Sequence, residues 1–508
     1  MSVERTKKAT KSFVWMFISL TIVSVVPFVI RTLMIRYLGE EYVGINSFFV
    51  SIVQIFSIGE LGIADALIFF LYKPMAEGNK KRVNEILNLY KNAYRIIGLG
   101  VCIISICLIP FLPYLIKEDM PSDVNIYVLY AIYISNLLLE YFYKNYCLSI
   151  FQTNQSLYHR YKSESFIWVV VYAIQSFLII YFKNYYGYAI MIPVATIFLN
   201  TATWLLSRKY YPQYYPEGKP DKSFYSGFWK KVSSMALMKL RDVFRFSLDS
   251  IVISAFLGLS LLAKYNNYYM LFSVGIMFMN LFSKSMLQSL GNSVASESVE
   301  SNRGVIKMYS FLLQLVILVL SAGFMCLCNI FITCWIGEEY TFSLQTVVLF
   351  VIMFYLLQIA SVSNLIRNST GIWSVGKWIP VAETVANLTC DIVLVQYFAQ
   401  DGVIIGTILS LALINIPFET AVVFREYFKE KPFKVLGDYL LNGVVAAGII
   451  YICYRVTGLF MSEAGIAAFF VKGVVCVAIS VGLFALVHIK DSRLKDLVVI
   501  FINLMNRK

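Results

Sequence analysis

Between Met235 and Gly258 the chain carries an apolar stretch long enough to cross a bilayer, yet Lys239, Arg241, Asp242, Arg245 and Asp249 all lie inside it. Charged groups at such depth can hold an anion, pair with one another, or carry a proton or a small cation. Asp242, Arg245 and Asp249 fall at i, i+3 and i+7, one stripe of a helix, with Arg241 one turn before Arg245. A helix facing lipid does not tolerate this load. The ten Leu, Ile, Phe and Val residues from Leu240 to Leu257 favour insertion by roughly 5 kcal/mol, against about 10 kcal/mol for four charges near mid-depth. The stripe therefore requires partners or a wet cavity.

Charge recurs in other apolar segments. Nine of the 43 basic residues lie in or at the ends of such runs: Arg31, Arg95, Lys144, Lys239, Arg241, Arg245, Lys284, Arg455 and Lys472. Arg31, Arg95, Lys239 and Arg455 sit within about a turn of a run's end, where a long side chain can snorkel to the interface. Arg245 and Asp249 lie roughly 15 to 20 Å from the start of their helix, too deep for that. Glu60, Asp65, Glu140, Glu383, Asp391 and Glu419 add carboxylates. They can form structural ion pairs with the bases, or serve as H⁺ or Na⁺ carriers in a coupled transporter. Several bases lining one cavity suit an anion, since Arg matches phosphate oxygens bidentately.

The elements that must position these groups are membrane spans. Of 508 residues 59% are hydrophobic and only 14% charged, a composition outside the range of soluble domains. Reading runs of about 17 to 25 apolar residues as spans gives fourteen helices near 13–35, 43–70, 93–116, 125–150, 166–182, 187–207, 235–257, 265–290, 308–333, 342–366, 378–397, 402–424, 439–459 and 466–488. The fold class is all-α and polytopic. Alternate loops and both tails together carry 30 Lys and Arg, whereas the opposite loops hold only Arg36, Lys117, Lys183 and Lys264. The positive-inside rule then places both termini in the cytoplasm. The formal net charge of +13 is spread over eight cytoplasmic segments, which argues against nucleic acid as a partner.

Subtracting helix starts, the seventh to twelfth spans repeat the spacing of the first six, with offsets of 212 to 222 residues. The expected domains are a six-helix lobe at 1–207, a cytoplasmic linker at 208–234, a second six-helix lobe at 235–424, and two further spans with a cytoplasmic tail at 425–508. An even number of helices per copy gives both lobes one orientation, a parallel repeat. Tyr37-Leu38-Gly39 and Phe256-Leu257-Gly258 echo one another at the ends of the first and seventh spans. The linker, rich in Tyr, Pro and Lys, is either an interfacial segment on anionic lipid or a polar connector. The tail Leu494–Met505 is amphipathic enough to lie along the inner leaflet. The first apolar run lacks a small-x-small cleavage site and is expected to be retained.

Nine cysteines lie in or beside spans and the only histidines, His159 and His488, lie at cytoplasmic ends. No disulfide framework, metal site or other cofactor is expected. Aromatics make up 16% of the chain. Tyr127, Tyr130, Tyr133, Tyr141, Tyr143, Tyr146, Tyr265, Tyr268 and Tyr269 are expected mostly in interfacial belts or packing, with stacking on sugar rings as the alternative.

The local sequence resembles a known family. Phe56-Ser57-Ile58-Gly59-Glu60-Leu61-Gly62-Ile63, Leu71-Tyr72-Lys73-Pro74-Met75-Ala76-Glu77, Leu89-Tyr90-Lys91 and Tyr94-Arg95-Ile96-Ile97-Gly98, then Leu248-Asp249-Ser250-Ile251-Val252-Ile253-Ser254-Ala255-Phe256-Leu257-Gly258 and Lys264-Tyr265-Asn266-Asn267-Tyr268-Tyr269, are similar to bacterial polysaccharide repeat-unit flippases. These belong to the superfamily that also holds lipid II flippases and multidrug and toxin extruders. The resemblance implies two six-helix lobes around a cationic cavity, two extra C-terminal helices, and an undecaprenyl-diphosphate-linked oligosaccharide moved from the inner to the outer leaflet of the bacterial cytoplasmic membrane. Arg31, Glu60, Arg95, Arg245 and Asp249 fall on its motif segments. Lys239, Arg241 and Asp242 match no fixed pattern of it.

The expected diphosphate-binding set is Arg31, Lys144, Arg241, Arg245 and Lys284, with Glu60, Asp249 and Asp391 orienting the bases or carrying a coupling H⁺ or Na⁺. No catalytic residue is expected. The expected partners are the lipid-linked oligosaccharide and membrane lipids, with a polysaccharide polymerase and glycosyltransferases at the cytoplasmic loops, and the protein is expected to act as a monomer. A multidrug or organic-cation exporter predicts acidic residues dominating the cavity, and a lipid II-type flippase predicts a different glycan. An enzyme acting on the same lipid needs a sizeable extramembrane segment, whereas the outer loops here have at most eight residues.

Overall fold

A computed structural model describes residues 3–60, 63–117, 120–154, 156–296, 298–370, 372, 375–459 and 465–497. The side chains of Asp65, Lys239, Arg241, Asp242 and Lys284 lie outside the described residues, as does most of the amphipathic tail. All regular structure among the described residues is helical.

By contact the chain divides into two units, Met1–Ala263 and Lys264–Lys508. This division falls after the 235–257 segment, where the repeat spacing put the boundary before it. The first unit contains α1 (Val3–Tyr37), α2 (Glu40–Phe56), α3 (Ile63–Ala76), α4 (Lys80–Leu108), α5 (Ile126–Phe142), α6 (Cys147–Thr153), α7 (Tyr158–Phe182), α8 (Tyr185–Tyr210) and α9 (Lys222–Leu257). The second contains nearly all of α10 (Leu259–Ser296), then α11 (Val299–Trp335), α12 (Leu344–Thr370), α13 (Ile379–Ser410), α14 (Ile416–Glu426), α15 (Phe433–Leu459) and α16 (Ile466–Val487).

Short polar side chains start several helices by accepting backbone N–H groups that have no partner within the helix. Asn79 accepts from Arg82 N at 3.0 Å, Asn125 from Tyr127 N at 3.0 Å and Asn184 from Gly187 N at 3.0 Å. The echoed Leu-Gly pairs end helices in one way. Gly39 N donates to Met34 O at 3.0 Å and Gly258 N to Ile253 O at 3.1 Å, with φ of 128° and 97°. Only glycine enters that region cheaply. The same bond closes α11 at Gly337, so the echo marks a recurrent turn at helix ends.

Nine helical stretches among the described residues are long and apolar enough to span a membrane. One of them, Ile379–Glu426, is broken by Ala399 at φ 50°, ψ −134° and makes two passes. The bent pair α5–α6, the pair α2–α3, and the charge-bearing α9 and α10 complete about fourteen spans, as the sequence predicts.

Three local readings are corrected. The second span is not one helix, because a 3₁₀ turn at Ser57–Glu60 separates α2 from α3. The fourth is bent by 60° between Phe142 and Cys147, where Lys144 takes φ 58°. The segment 208–234 is not a single non-helical linker. From Lys222 it is already helix, and its extended part is docked on α4: Asn84 Oδ1 accepts from Tyr215 N at 3.0 Å and Asn88 Nδ2 donates to Gly218 O at 2.7 Å.

The core of the first unit gathers Leu67, Leu71, Leu87, Tyr90, Tyr94, Leu137 and Phe228. In the second, Phe311, Leu318, Cys326, Cys453, Cys476 and Phe484 pack where α11, α15 and α16 meet. Large apolar side chains on α15 and α16, such as Leu440, Val444, Phe470 and Val474, face outward, which a hydrocarbon surround accommodates and water does not.

Candidate functional site

In the first unit α9 packs along α2. Ser247, Ser250 and Ser254 are fully buried at i, i+3 and i+7, small enough to let the helices approach. Ser247 Oγ donates to Gln54 Oε1 at 3.0 Å, and Ser254 Oγ to Leu115 O at 2.8 Å. This seam fixes the rotation of α9. Asp249 is thereby 2% exposed, and Arg245, one turn earlier, is half-buried. At 1.5 Å per residue they lie roughly 12 and 18 Å from the end of α9, inside the hydrocarbon thickness.

Arg31 is half-buried on α1, and its Nη2 donates to Ala263 O at 3.0 Å. The guanidinium thus ties α1 to the first turns of α10. Lys144 stands apart, at the bend between α5 and α6. Its ammonium lies 3.5 Å from the centre of the Trp204 ring and 5.0 Å from that of Tyr143, a cation–π seat. Glu60 sits on the 3₁₀ turn within hydrogen-bonding reach of the Tyr94 hydroxyl. Glu140 lies close enough to Glu60 and Arg160 to feel both charges. Arg160 was counted from sequence as a loop base. It belongs to α7, and its Nη1 is buried without a hydrogen-bond partner.

In the second unit the carboxylates form the better-defined cluster. Glu383, Asn387 and Asp391 follow at i, i+4 and i+8 on α13, at 1%, 2% and 0% exposure. The break at Ala399 turns the chain so that Thr407 and Asn415 come back to this stripe. Asn387 Nδ2 donates to Asp391 Oδ1 and Thr407 Oγ1, both at 3.2 Å, and Asn415 Nδ2 to Glu383 Oε2 at 2.6 Å. The amide oxygens Asn387 Oδ1 and Asn415 Oδ1 are buried without a partner. Gly406 makes room, because a Cβ there would collide with Asp391 Oδ1. Asp391 with the Asn387 amide and the Thr407 hydroxyl, shut from water, forms a polar group fitted to a proton or a small hard cation, and Glu383 with Asn415 forms a separate one about two turns away on α13.

The fully buried Arg367 was also read as a loop base. It closes the last turn of α12, its Nη1 bonded to both oxygens of Glu419 at 2.7 and 2.6 Å. Its place one residue past the apolar run 342–366 is the signal the sequence offers for it. The tyrosines divide as packing: Tyr130, Tyr133, Tyr141, Tyr265 and Tyr268 are buried, while Tyr127 is 47% exposed. Among the described residues no three His, Cys, Asp or Glu side chains converge as a metal-binding group.

The family described as "Polysaccharide biosynthesis protein" matches residues 9–288. No curated protein sequence matches. Solved structures similar to this chain include the lipid II flippase MurJ in an inward closed conformation, at 14% identity, covering 96% of this chain and 100% of that one with a TM-score of 0.68. A multidrug resistance MATE family transporter of the MOP superfamily, inward-facing, matches at 12% identity over 84% of this chain and 99% of that one, TM-score 0.62. A MOP superfamily transporter from Pyrococcus furiosus, described as having a binding pocket of reverse polarity, matches at 12% identity over 84% and 96%, TM-score 0.53. These likenesses establish the fold.

Proposed function

Because the chain belongs to the polysaccharide biosynthesis protein family, whose fold here is that of the MOP-superfamily transporters, we propose that it flips undecaprenyl-diphosphate-linked oligosaccharide repeat units. Movement runs from the inner to the outer leaflet of a bacterial cytoplasmic membrane, with both termini cytoplasmic, by alternating access and without covalent chemistry. The observation that carries this reading is Arg245, half-buried at mid-depth one turn from the buried Asp249. A base held there is suited to an anion that must cross the hydrocarbon region.

Arg245 with Arg31 and Arg241 binds the diphosphate. Lys144 joins them only by leaving Trp204. The glycan travels in a wet cavity while the polyprenyl tail stays in lipid, since withdrawing it would forfeit about 0.8 kcal/mol per CH₂. Asp249 and Glu60 orient the bases. Asp391, with Asn387 and Thr407, carries the coupling H⁺ or Na⁺. A lipid II-type flippase is the second reading ahead of a multidrug exporter, because the MurJ fold covers 96% of the chain and the MATE fold 84%.

The test is Arg245→Ala at wild-type protein level in the native host. Lipid-linked oligosaccharide should accumulate in the inner leaflet while surface glycan falls. Normal surface glycan would sink the assignment; loss of cell wall precursor export in its place would select the lipid II reading.

A further inference from the structure

At the end of the second unit where α11 and α15 begin, a cavity of about 840 Å³ opens between these helices, the segment after α14 and the residues after α16. Five bases line it: Arg303, Lys307, Lys431, Lys434 and Arg493, against the carboxylates Glu430, Asp438 and Asp496. Two of the bases are fixed in place. Arg303 pairs with Glu430 and stands over the Phe428 ring at 5.8 Å. Arg493 pairs with Asp491 at 2.5 Å and stands over Phe311 at 4.9 Å.

The lysines are different. Lys307, Lys431 and Lys434 are exposed and form no ion pair among the described residues. Arg303 Nε is buried without a hydrogen-bond partner, and a Cβ on Gly304 at the cavity wall would meet open space. One wall is apolar and continuous with the outside of α15: Leu441 lines the cavity and is 64% exposed, beside Leu440 at 73% and Val444 at 64%. Helix ends rich in bases lie at headgroup depth, so the cavity joins a chamber whose lining has more bases than carboxylates to a lipid-facing surface.

We propose that this cavity holds the phosphate headgroup of an anionic phospholipid of the inner leaflet, with its acyl chains laid along Leu440, Leu441 and Val444. A soluble polyphosphate shares the headgroup's chemistry but makes no use of that apolar face. The site goes beyond the transport reading and is independent of which glycan is carried.

The test is native mass spectrometry of the full-length protein in detergent with diphosphatidylglycerol, phosphatidylglycerol, phosphatidylcholine or inorganic pyrophosphate. The two anionic lipids should bind, and Lys307→Ala/Lys434→Ala should weaken them about 30-fold, from roughly one unit of surface attraction per lysine. Lys80→Ala/Lys81→Ala removes the same charge from the start of α4, whose residues do not line the cavity, and should leave the affinity unchanged. Melting of each variant without lipid checks that its fold is retained. Equal binding of phosphatidylcholine, equal binding of pyrophosphate, or equal weakening by the α4 pair would each overturn the proposal.

Discussion

Arg367 Nη1 donates to both carboxylate oxygens of Glu419, at 2.7 and 2.6 Å, and both side chains are 1% exposed. The remaining guanidinium donors are used as well: Nε reaches Ile372 O at 2.9 Å and Nη2 reaches Val375 O at 2.5 Å. One buried cation thus binds α12, α14 and the turn between α12 and α13.

Removing one partner leaves the other charge buried and uncompensated. Glu419→Ala is expected to destabilise the protein by about 3–5 kcal/mol, read as a lowered melting temperature in detergent. Arg367→Met/Glu419→Leu should lose less than the two single variants summed, since no orphan charge remains. Additive losses would contradict the pairing.

Gly406 faces Asp391 so closely that any side chain there meets the carboxylate. Gly406→Ala should push Asp391 off Asn387, costing about 1–3 kcal/mol by overpacking and impairing surface glycan more than expression. Gly448→Ala, on α15 with open space around it, should be neutral or slightly stabilising. Matching phenotypes for the two would remove Gly406 from the site.

Lys144 combines a positive φ with an ammonium seated on Trp204. Trp204→Leu should cost about 0.5–2 kcal/mol through the lost cation–π contact. Lys144→Gly relieves the backbone while removing the charge, so its melting should stay near wild type. A full loss of transport in Lys144→Gly, with normal melting, would assign the ammonium a direct part in substrate binding.

Asp491 lies beyond α16, and Arg493 hydrogen bonds hold its carboxyl below the usual carboxylate range. A depressed folded-state value means that the pair contributes above the unfolded value near 4 and that the contribution is lost as pH falls through the lower folded one. Arg493 is 40% exposed, so the effect is under about 1 kcal/mol. Melting of Asp491→Asn should converge with wild type as pH drops from neutral toward 3; a constant gap would refute the linkage.

The all-helical class, the number of spans and the positions of most charges in them were legible in the sequence. Apolar run length and the bilayer thickness constrain each other directly. The depth of Arg245 and Asp249 followed from counting along α9. The breaks were harder to read. The break between Phe56 and Ile63 carries Gly59 and Gly62 as a local signal, whereas Lys144 and Ala399 carry no adjacent proline or glycine, and tertiary packing rather than local propensity interrupts those helices.

The sequence alone therefore determined which segments cross the membrane and which carry charge. It could not decide which charges meet. Arg367 and Arg160 read as loop bases, because a residue one position past an apolar run has no marker of burial. Thr407 was invisible as a partner of Asn387, which in turn holds Asp391, since twenty residues of chain separate Asn387 from Thr407 and only the reversal at Ala399 joins them. Span is a one-dimensional property, fixed by transfer free energy along the chain. Pairing of buried polar groups depends on helix rotation and on where helices break, and only packing in three dimensions sets those.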